Sequence, residues 1–350
     1  MSQTKTAAAG PLNLITDVPG LKVGQAEAPA VRTGVTVILP DERAVCACDV
    51  RGGAPGTRET DALAAENLVE AVDAVVLSGG SVYGLAAADG VTAWLGARGR
   101  GYGLSPNPEA PPSPVVPAAI LFDMANGGDK AWGETPPFRA LGMQAVAAAG
   151  ARFDLGTAGA GYGAMAGALK GGVGSASVIT ADGIAVGALV AVNSWGSVVA
   201  PGSAAFWAAP YELEGEFGGL GAAALSAAPD EWGLAKSAAA QRNTTIACVA
   251  TDVALTPAQA RRVAMMAQDG FARAIRPVHA PFDGDVVFAL STGRRALAEP
   301  GNFTLARIGA LAADCLARAV ARGVYEAQAW PGTEVATWRG LAAVLAAKLD

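Results

Sequence analysis

No charged residue occurs between Asp182 and Glu212, and a run of that length settles either inside a protein or inside a membrane. Its punctuation separates the two. Gly187, Asn193, Gly196, Pro201 and Gly202 interrupt it, whereas a membrane helix needs roughly 20 continuous apolar residues. Buried strands, apolar on both faces, accommodate such breaks. The run therefore asks for a sheet covered on both sides, and no membrane partner is expected. The rest of the composition agrees: 52% of the 350 residues are hydrophobic, only 16% are charged, and 45 are glycine. A surface so poor in charge points to extensive contact between subunits.

The remaining elements read as mixed α and β. Val35 to Leu39 and Ala44 to Val50 predict strands around a turn at Pro40-Asp41-Glu42. Thr60-Asp61 caps an amphipathic helix to about Val72. Ala74 to Leu77 is a short buried strand, and a helix from about Leu85 to Leu95 follows the Ser78-Gly79-Gly80 turn. A strand over Ala118 to Phe122 and a helix over Arg139 to Ala149 come next. Gly174 to Thr180 and Ile184 to Val192 flank Asp182-Gly183, a hairpin signal. Thr256 caps a long helix to about Ile275, with Pro257 in its first turn. Asp285 to Leu290 predicts a strand and Leu305 to Tyr325 a helix of apolar periodicity. Strands and helices do not alternate strictly, so an α+β layered sandwich is favoured over a doubly wound parallel sheet.

Charge and residue counts exclude several functions. The net charge of −6 and isoelectric point near 5.0 argue against nucleic acid, which selects a basic face. Cys46, Cys48, Cys248 and Cys315 are too few for a disulfide framework in so long a chain, and a reducing cytoplasm fits them. On a strand, Cys46 and Cys48 share one face. His279 is the only histidine, so a zinc site built on two or three histidines is impossible within one subunit. No G-x-S-x-G elbow exists to pair His279 with a serine, and the residue reads as solvated or structural. Gly159-Ala160-Gly161-Tyr162-Gly163-Ala164 has the form of a dinucleotide loop but lacks a good strand before it and a long helix after it. Ser78-Gly79-Gly80 lacks the Gly-Lys-Ser/Thr ending of a phosphate loop, although its amides, with Gly80 and Ser81 at the turn, could bind an anion or a carbonyl oxygen. No cofactor and no metal are called for.

An enzyme with this sequence must find its base without histidine. Asn243-Thr244-Thr245-Ile246 offers one. A β-type run from Thr245 to Thr251 begins abruptly there, after residues 201–242, an Ala-, Gly- and Pro-rich stretch with little periodicity. If the bond after Asn243 breaks, Thr244 gains a free α-amine, of reference pKa about 7.7–8.0, beside its own hydroxyl. Such an amine can activate a weak nucleophile. The alternative is a plain strand start, since Thr is common in strands. Cleavage would divide a single domain into fragments 1–243 and 244–350, with 201–242 as the processing loop. The smaller fragment begins with a core strand, so the two should stay together.

Several motifs together carry a family resemblance. Asp49-Val50-Arg51-Gly52-Gly53, Gly80-Ser81-Val82-Tyr83-Gly84, Asn243-Thr244-Thr245 and Asp283-Gly284-Asp285 resemble the autocleaving L-aminopeptidase/D-esterase and β-aminopeptidase family, whose relatives include the nylon-oligomer (6-aminohexanoate oligomer) hydrolases. The resemblance runs from about Leu14 to Ala329. It implies a four-layer αββα sandwich of the N-terminal-nucleophile-like type, as in aminopeptidases and ornithine acetyltransferases. It implies self-cleavage and a tetramer of α/β heterodimers. The piece from Thr333 to Asp350 reads as an extra helix beyond the shared part.

By that resemblance, Thr244 matches the nucleophile and Asn243 the residue across the cleaved bond. Asn193 matches an oxyanion donor, Tyr83 an active-site tyrosine, and Lys170 a lysine near the nucleophile. Asp283 and Asp285 match a pair that orients the nucleophile and assists cleavage. Read alone, Asn193 could equally be structural, Tyr83 a packing residue, Lys170 solvated and Asp-Gly-Asp a good turn. The β-aminopeptidases carry Ser as nucleophile, and Ser and Glu at the Asp pair, so the chain sits nearer the nylon-oligomer branch. The implied activity is hydrolysis of amide and ester bonds, foremost as an aminopeptidase on small peptides, with endo-hydrolysis of linear oligoamides second. An acyltransferase and a non-catalytic binding protein of the same fold are the readings from other classes.

Overall fold

In the computed structural model, which describes residues 7–103, 107, 109–223, 230–237 and 243–348, the charge-free run supplies one strand, Ala185–Ala191, and otherwise loop and turn; that strand lies inside a seven-stranded sheet. Its order is Ala7–Ala9, Val173–Thr180, Ala185–Ala191, Ile246–Val253, Val286–Arg295, Ala44–Val50 and Ala71–Val72. Within this sheet the Ile246–Val253 and Val286–Arg295 strands pair in parallel and the other neighbours antiparallel. A five-stranded sheet of Leu21–Ala28, Thr33–Pro40, Val75–Ser78, Ala118–Ile120 and Thr57–Arg58 lies against it. Met165–Ala166 and Leu169–Lys170 form a small ribbon. Among the described residues the α-helices are α1 (Ala87–Gly96), α2 (Phe138–Ala147), α3 (Pro257–Ala274), α4 (Gly301–Tyr325) and α5 (Trp338–Ala346).

The period-2 alternation of the strands assigns each face to a layer. Ile246, Cys248 and Ala250 point between the sheets, where they meet Cys46, Cys48, Phe288, Ile38 and Leu77. Ala247, Val249 and Val253 point the other way, onto Phe271 of α3 and Leu316 and Val320 of α4. On the outside of the smaller sheet, Val35, Val37 and Leu39 pack against Val91 and Leu95 of α1 and Phe138 and Leu141 of α2. The layers run helix, sheet, sheet, helix, which is the αββα sandwich expected. Cys46 and Cys48 do share a face, and all four cysteines are buried and free.

The structure departs from the sequence reading in two places. Residues 60–72 do not form a helix: Asp61–Leu63 is a single 3-10 turn and Ala71–Val72 an edge strand. Thr60 bonds the Thr57 hydroxyl at 3.1 Å instead of capping a helix, and Leu68 is 72% exposed, so no apolar stripe exists to bury. The strands on either side of Pro40 are not a hairpin, because they belong to different sheets. The partner of Thr33–Pro40 is instead Leu21–Ala28. By contrast, the hairpin at Asp182-Gly183, with Gly183 at φ +85°, and the Thr256 capping box on α3 form as expected.

The 201–242 stretch is moored rather than loose over much of its length. Phe206 and Phe217 are buried and meet edge to face, and Glu216 pairs with Arg318 of α4. Residues 224–229 and 238–242 lie outside the described residues. No helix among the described residues is long and apolar enough to cross a membrane.

Candidate active site

Thr244 lies just ahead of the Ile246–Val253 strand and is 3% exposed. Three successive amides fix the chain around it, two to the turn that carries Phe282 and Asp285 and one to Asn193. Asn243 N donates to Phe282 O at 3.1 Å, and Thr244 N to Asn193 O at 3.0 Å. Thr245 N donates to Asp285 Oδ1 at 2.9 Å. With the backbone held on both sides, the Thr244 hydroxyl donates to the carbonyl oxygen of Asn243, the group that self-cleavage would attack. Gly284 closes the other side. A Cβ there would come within 2.7 Å of Thr244 Oγ1 and 2.6 Å of Ala54 O, which no ordinary packing permits.

The two aspartates are held differently. Asp283 accepts from Trp195 N at 3.3 Å and Ala280 N at 3.2 Å. Burial, and then the nearby charge of Asp285, raises its carboxyl well above the usual carboxylate range. Asp285 accepts from Thr245 N, from His279 N at 3.2 Å and from His279 Nδ1 at 2.8 Å. The Asp49–Gly53 loop wraps this turn. Arg51 N reaches Asp285 O at 3.0 Å, and Ala54 N reaches Asp283 O at 2.7 Å. Two motifs far apart in sequence thus form one cradle under the nucleophile.

Asn193 joins this cradle to a second wall. Its backbone carbonyl holds Thr244 N, its Oδ1 accepts from Met165 N at 2.9 Å, and its Nδ2 donates to Phe122 O at 3.0 Å. One N–H of that amide therefore goes to Phe122. Next to it, Asp123 Oδ1 accepts from Gly80 N at 2.8 Å, and Ser81 N donates to Leu121 O at 3.0 Å. Both amides of the anticipated anion turn are thus engaged in this conformation. Gly80 sits at φ +85° with its Cβ position filled by the Phe138 ring, so only glycine fits. Tyr83 is half-exposed and packs edge-on to Trp132 with centroids 5.6 Å apart.

Lys170 is fully buried. Its Nζ donates to Gly161 O at 3.2 Å, Ala164 O at 3.0 Å and Gly171 O at 2.6 Å, beneath the Trp330 ring. Burial pulls its pKa down to about 7, with the charge of Asp123 opposing. Among the described contacts, none joins Lys170 or Tyr83 to Thr244. The structure therefore brings Asn243, Thr244, Asn193, Asp283 and Asp285 into one cluster and leaves Gly80, Ser81, Tyr83 and Lys170 on the wall beside it.

Sequence reading missed three residues. His279, which the sequence alone reads as solvated or structural, is bonded to Asp285; its position just upstream of the Asp-Gly-Asp turn is the available signal. Lys236 places Nζ 2.6 Å from Asn243 Oδ1, and burial lowers it to about 7, with Asp283 opposing. Asp123 is 3% exposed and raised by burial. Neither carried a local pattern that would have singled it out.

Residues 13–337 match the profile described as peptidase family S58. The chain is 44% identical over 355 residues to an uncharacterized aminopeptidase of Mycobacterium tuberculosis, covering 94% of this chain and 98% of that protein. It is 29% identical over 286 residues to a 6-aminohexanoate-oligomer endohydrolase of a Kocuria species, covering 79% and 74% respectively. Its fold is similar to that of the L-aminopeptidase D-Ala-esterase/amidase of Ochrobactrum anthropi, at a TM-score of 0.69 with 21% identity over 99% of this chain and 96% of that one. That structure is described as a variant of the Ntn hydrolase fold. Helix α5 begins at Trp338, one residue past the matched span.

Proposed function

The chain belongs to peptidase family S58, a hydrolase acting on peptide or amide bonds, and from that premise we propose that Thr244 is its nucleophile, freed by self-cleavage after Asn243. The observation that carries the proposal is the Thr244 hydroxyl lying on the Asn243 carbonyl while three neighbouring amides are pinned. Preorganised contact of this kind replaces much of the entropic cost of bringing nucleophile and carbonyl together. In maturation, Oγ1 bonds to the Asn243 carbonyl carbon, the C–N bond breaks, and the hydroxyl proton ends on the Thr244 nitrogen. Water then hydrolyses the ester to an Asn243 carboxylate and a free Thr244 hydroxyl.

In turnover the new amine, held by Asn193 O, takes the hydroxyl proton as Oγ1 attacks a substrate carbonyl. The resulting ammonium returns that proton to the leaving amine, and water resolves the acyl-enzyme. Asn193 Nδ2 has one N–H beyond that given to Phe122, and this donor serves the oxyanion, a role generally worth about 2.7–4 kcal/mol. Asp285 fixes Thr244 through the Thr245 amide, and Asp283 assists the cleavage. Tyr83, Lys170 and the Gly80-Ser81 turn form the wall that receives substrate. The relatives that cover nearly the whole chain are aminopeptidases, so we favour cleavage of N-terminal residues from small peptides. The oligoamide endohydrolase supports the second reading, and a panel of aminoacyl-p-nitroanilides beside a 6-aminohexanoate oligomer separates the two by rate. The charge-poor surface fits a tetramer of α/β heterodimers, and four unpaired thiols fit a reducing cytoplasm.

Intact-mass analysis under denaturing conditions tests the core of the reading. The wild type should give fragments 1–243 and 244–350, and Thr244→Ala a single inactive 34.8 kDa chain. Cleavage of the Thr244→Ala chain at the same bond would sink the assignment.

A further inference from the structure

Self-cleavage at Thr244, on which this inference rests, requires the Asn243 carbonyl to stay on the threonine hydroxyl. The backbone bonds described above hold the nitrogens of residues 243–245. They do not hold the Asn243 side chain. Lys236 reaches it from upstream, with Nζ 2.6 Å from Asn243 Oδ1.

Lys236 is itself fastened to the site through Trp195. Its backbone N donates to Trp195 O at 2.9 Å, Trp195 Nε1 donates to Ser237 O at 3.4 Å, and Trp195 N donates to Asp283 Oδ1. The Trp195 ring packs edge-on to Trp232 and Phe282, at 5.3 and 5.0 Å. Residues 232–237 therefore sit on the same turn that carries the aspartates. Lys236 is half-buried and its ammonium is desolvated there, an arrangement more common at functional positions than at solvated ones.

We infer that Lys236 is a positioning residue for maturation: its bond to Asn243 Oδ1 clamps the leaving side of the cut so that the scissile carbonyl stays on Thr244 Oγ1. The lysine acts through Asn243 and touches neither the attacking oxygen nor a substrate.

The test follows the full-length band over time on denaturing gels, with each chain made by cell-free synthesis. Lys236→Met should lengthen the processing half-time about 10- to 100-fold, the cost typical of a reacting group displaced by about an ångström. Lys236→Arg should recover much of the rate, because it still presents a donor. Asn243→Ala should slow processing similarly, and the double variant should be no slower than the slower single, the non-additivity that marks one shared contact. If Lys236→Met fails to fold, Lys236→Arg and Asn243→Ala still interrogate the same bond. Processing of Lys236→Met at the wild-type pace, or additive slowing in the double variant, overturns the inference and leaves the Thr244 reading standing. A wild-type chain that never splits between 243 and 244 removes both.

Discussion

At the scale of single residues, the nucleophile is controlled by what is missing beside it as much as by what is present. Gly284 separates the two aspartates and contributes no side chain, and the space a methyl group would need is already taken by Thr244 Oγ1 and Ala54 O. Gly284→Ala must therefore move the hydroxyl, the Asp49–Gly53 loop, or both. Overpacking of this kind generally costs about 1–3 kcal/mol, but the effect on maturation should be larger. Displacing Oγ1 from the Asn243 carbonyl is expected to slow self-cleavage on the order of 10²-fold in a chain that still folds. A time course of uncut chain, with circular dichroism to confirm folding, reads this directly. Unchanged processing would mean that Oγ1 does not need the position it holds. The pattern Asp-Gly-Asp was visible in sequence as a turn, but the reason for its glycine lies in a contact across forty residues.

At the scale of elements, helix α5 is tied to the start of the processing stretch. Thr337 caps it through Gly340 N at 3.2 Å. Trp338 then stacks on Phe206 with centroids 5.3 Å apart, leans on Tyr325 of α4 at 4.9 Å, and donates Nε1 to Ala204 O at 2.8 Å. One side chain thus fastens residues 204–206 to α4. Trp338→Ala should lower unfolding free energy by about 3–5 kcal/mol, as for other buried aromatic truncations, measured by denaturant titration; a loss below about 1 kcal/mol would show that α5 is peripheral. The helix itself was legible from its sequence, as were the Thr256 cap and the Asp182-Gly183 hairpin, because each is written in neighbouring residues. Elements whose identity depends on distant partners were not. The strands flanking Pro40 had a clear β pattern, yet nothing local says that one joins the larger sheet and the other the smaller. Thr60-Asp61 carried a cap signal that lost to the Thr57 hydroxyl. Lys236 and His279 fall in this class: a lysine in an unpatterned stretch becomes a clamp only once Trp195 and Asn243 are folded against it.

At the scale of the whole molecule, cut and uncut chains should share one fold, because the Ile246–Val253 strand lies between Ala185–Ala191 and Val286–Arg295 and cannot leave without opening both cores. Desolvation also makes global stability depend on pH, through Lys170 and Lys236. Lys170 has an ordinary value of 10.5 and is lowered to about 7 by burial, with Asp123 opposing. Below about pH 7 the folded and unfolded chains both carry the charge, and the penalty for burying it is fully present. Between about 7 and 10.5 the unfolded chain binds more protons than the folded one, so stability rises with pH, by up to about 1.4 kcal/mol per unit for one such group. Lys236, lowered in the same direction, adds a contribution of the same sign. Lys170→Met leaves the carbonyls of Gly161, Ala164 and Gly171 without their donor, so it should destabilise the protein at every pH. It should also flatten the rise between about pH 7 and 9 relative to the wild type, leaving the share due to Lys236; from about pH 9 upward the thiols of Cys46, Cys48, Cys248 and Cys315, raised by burial, act with the opposite sign in both proteins. Urea titrations at half-unit intervals across that window measure both effects. Parallel curves for the two proteins would mean that Lys170 keeps its ordinary affinity for the proton, its three carbonyls and Asp123 having fully offset burial. Lys170 would then be a charged strut beneath Trp330 rather than a neutral amine at working pH.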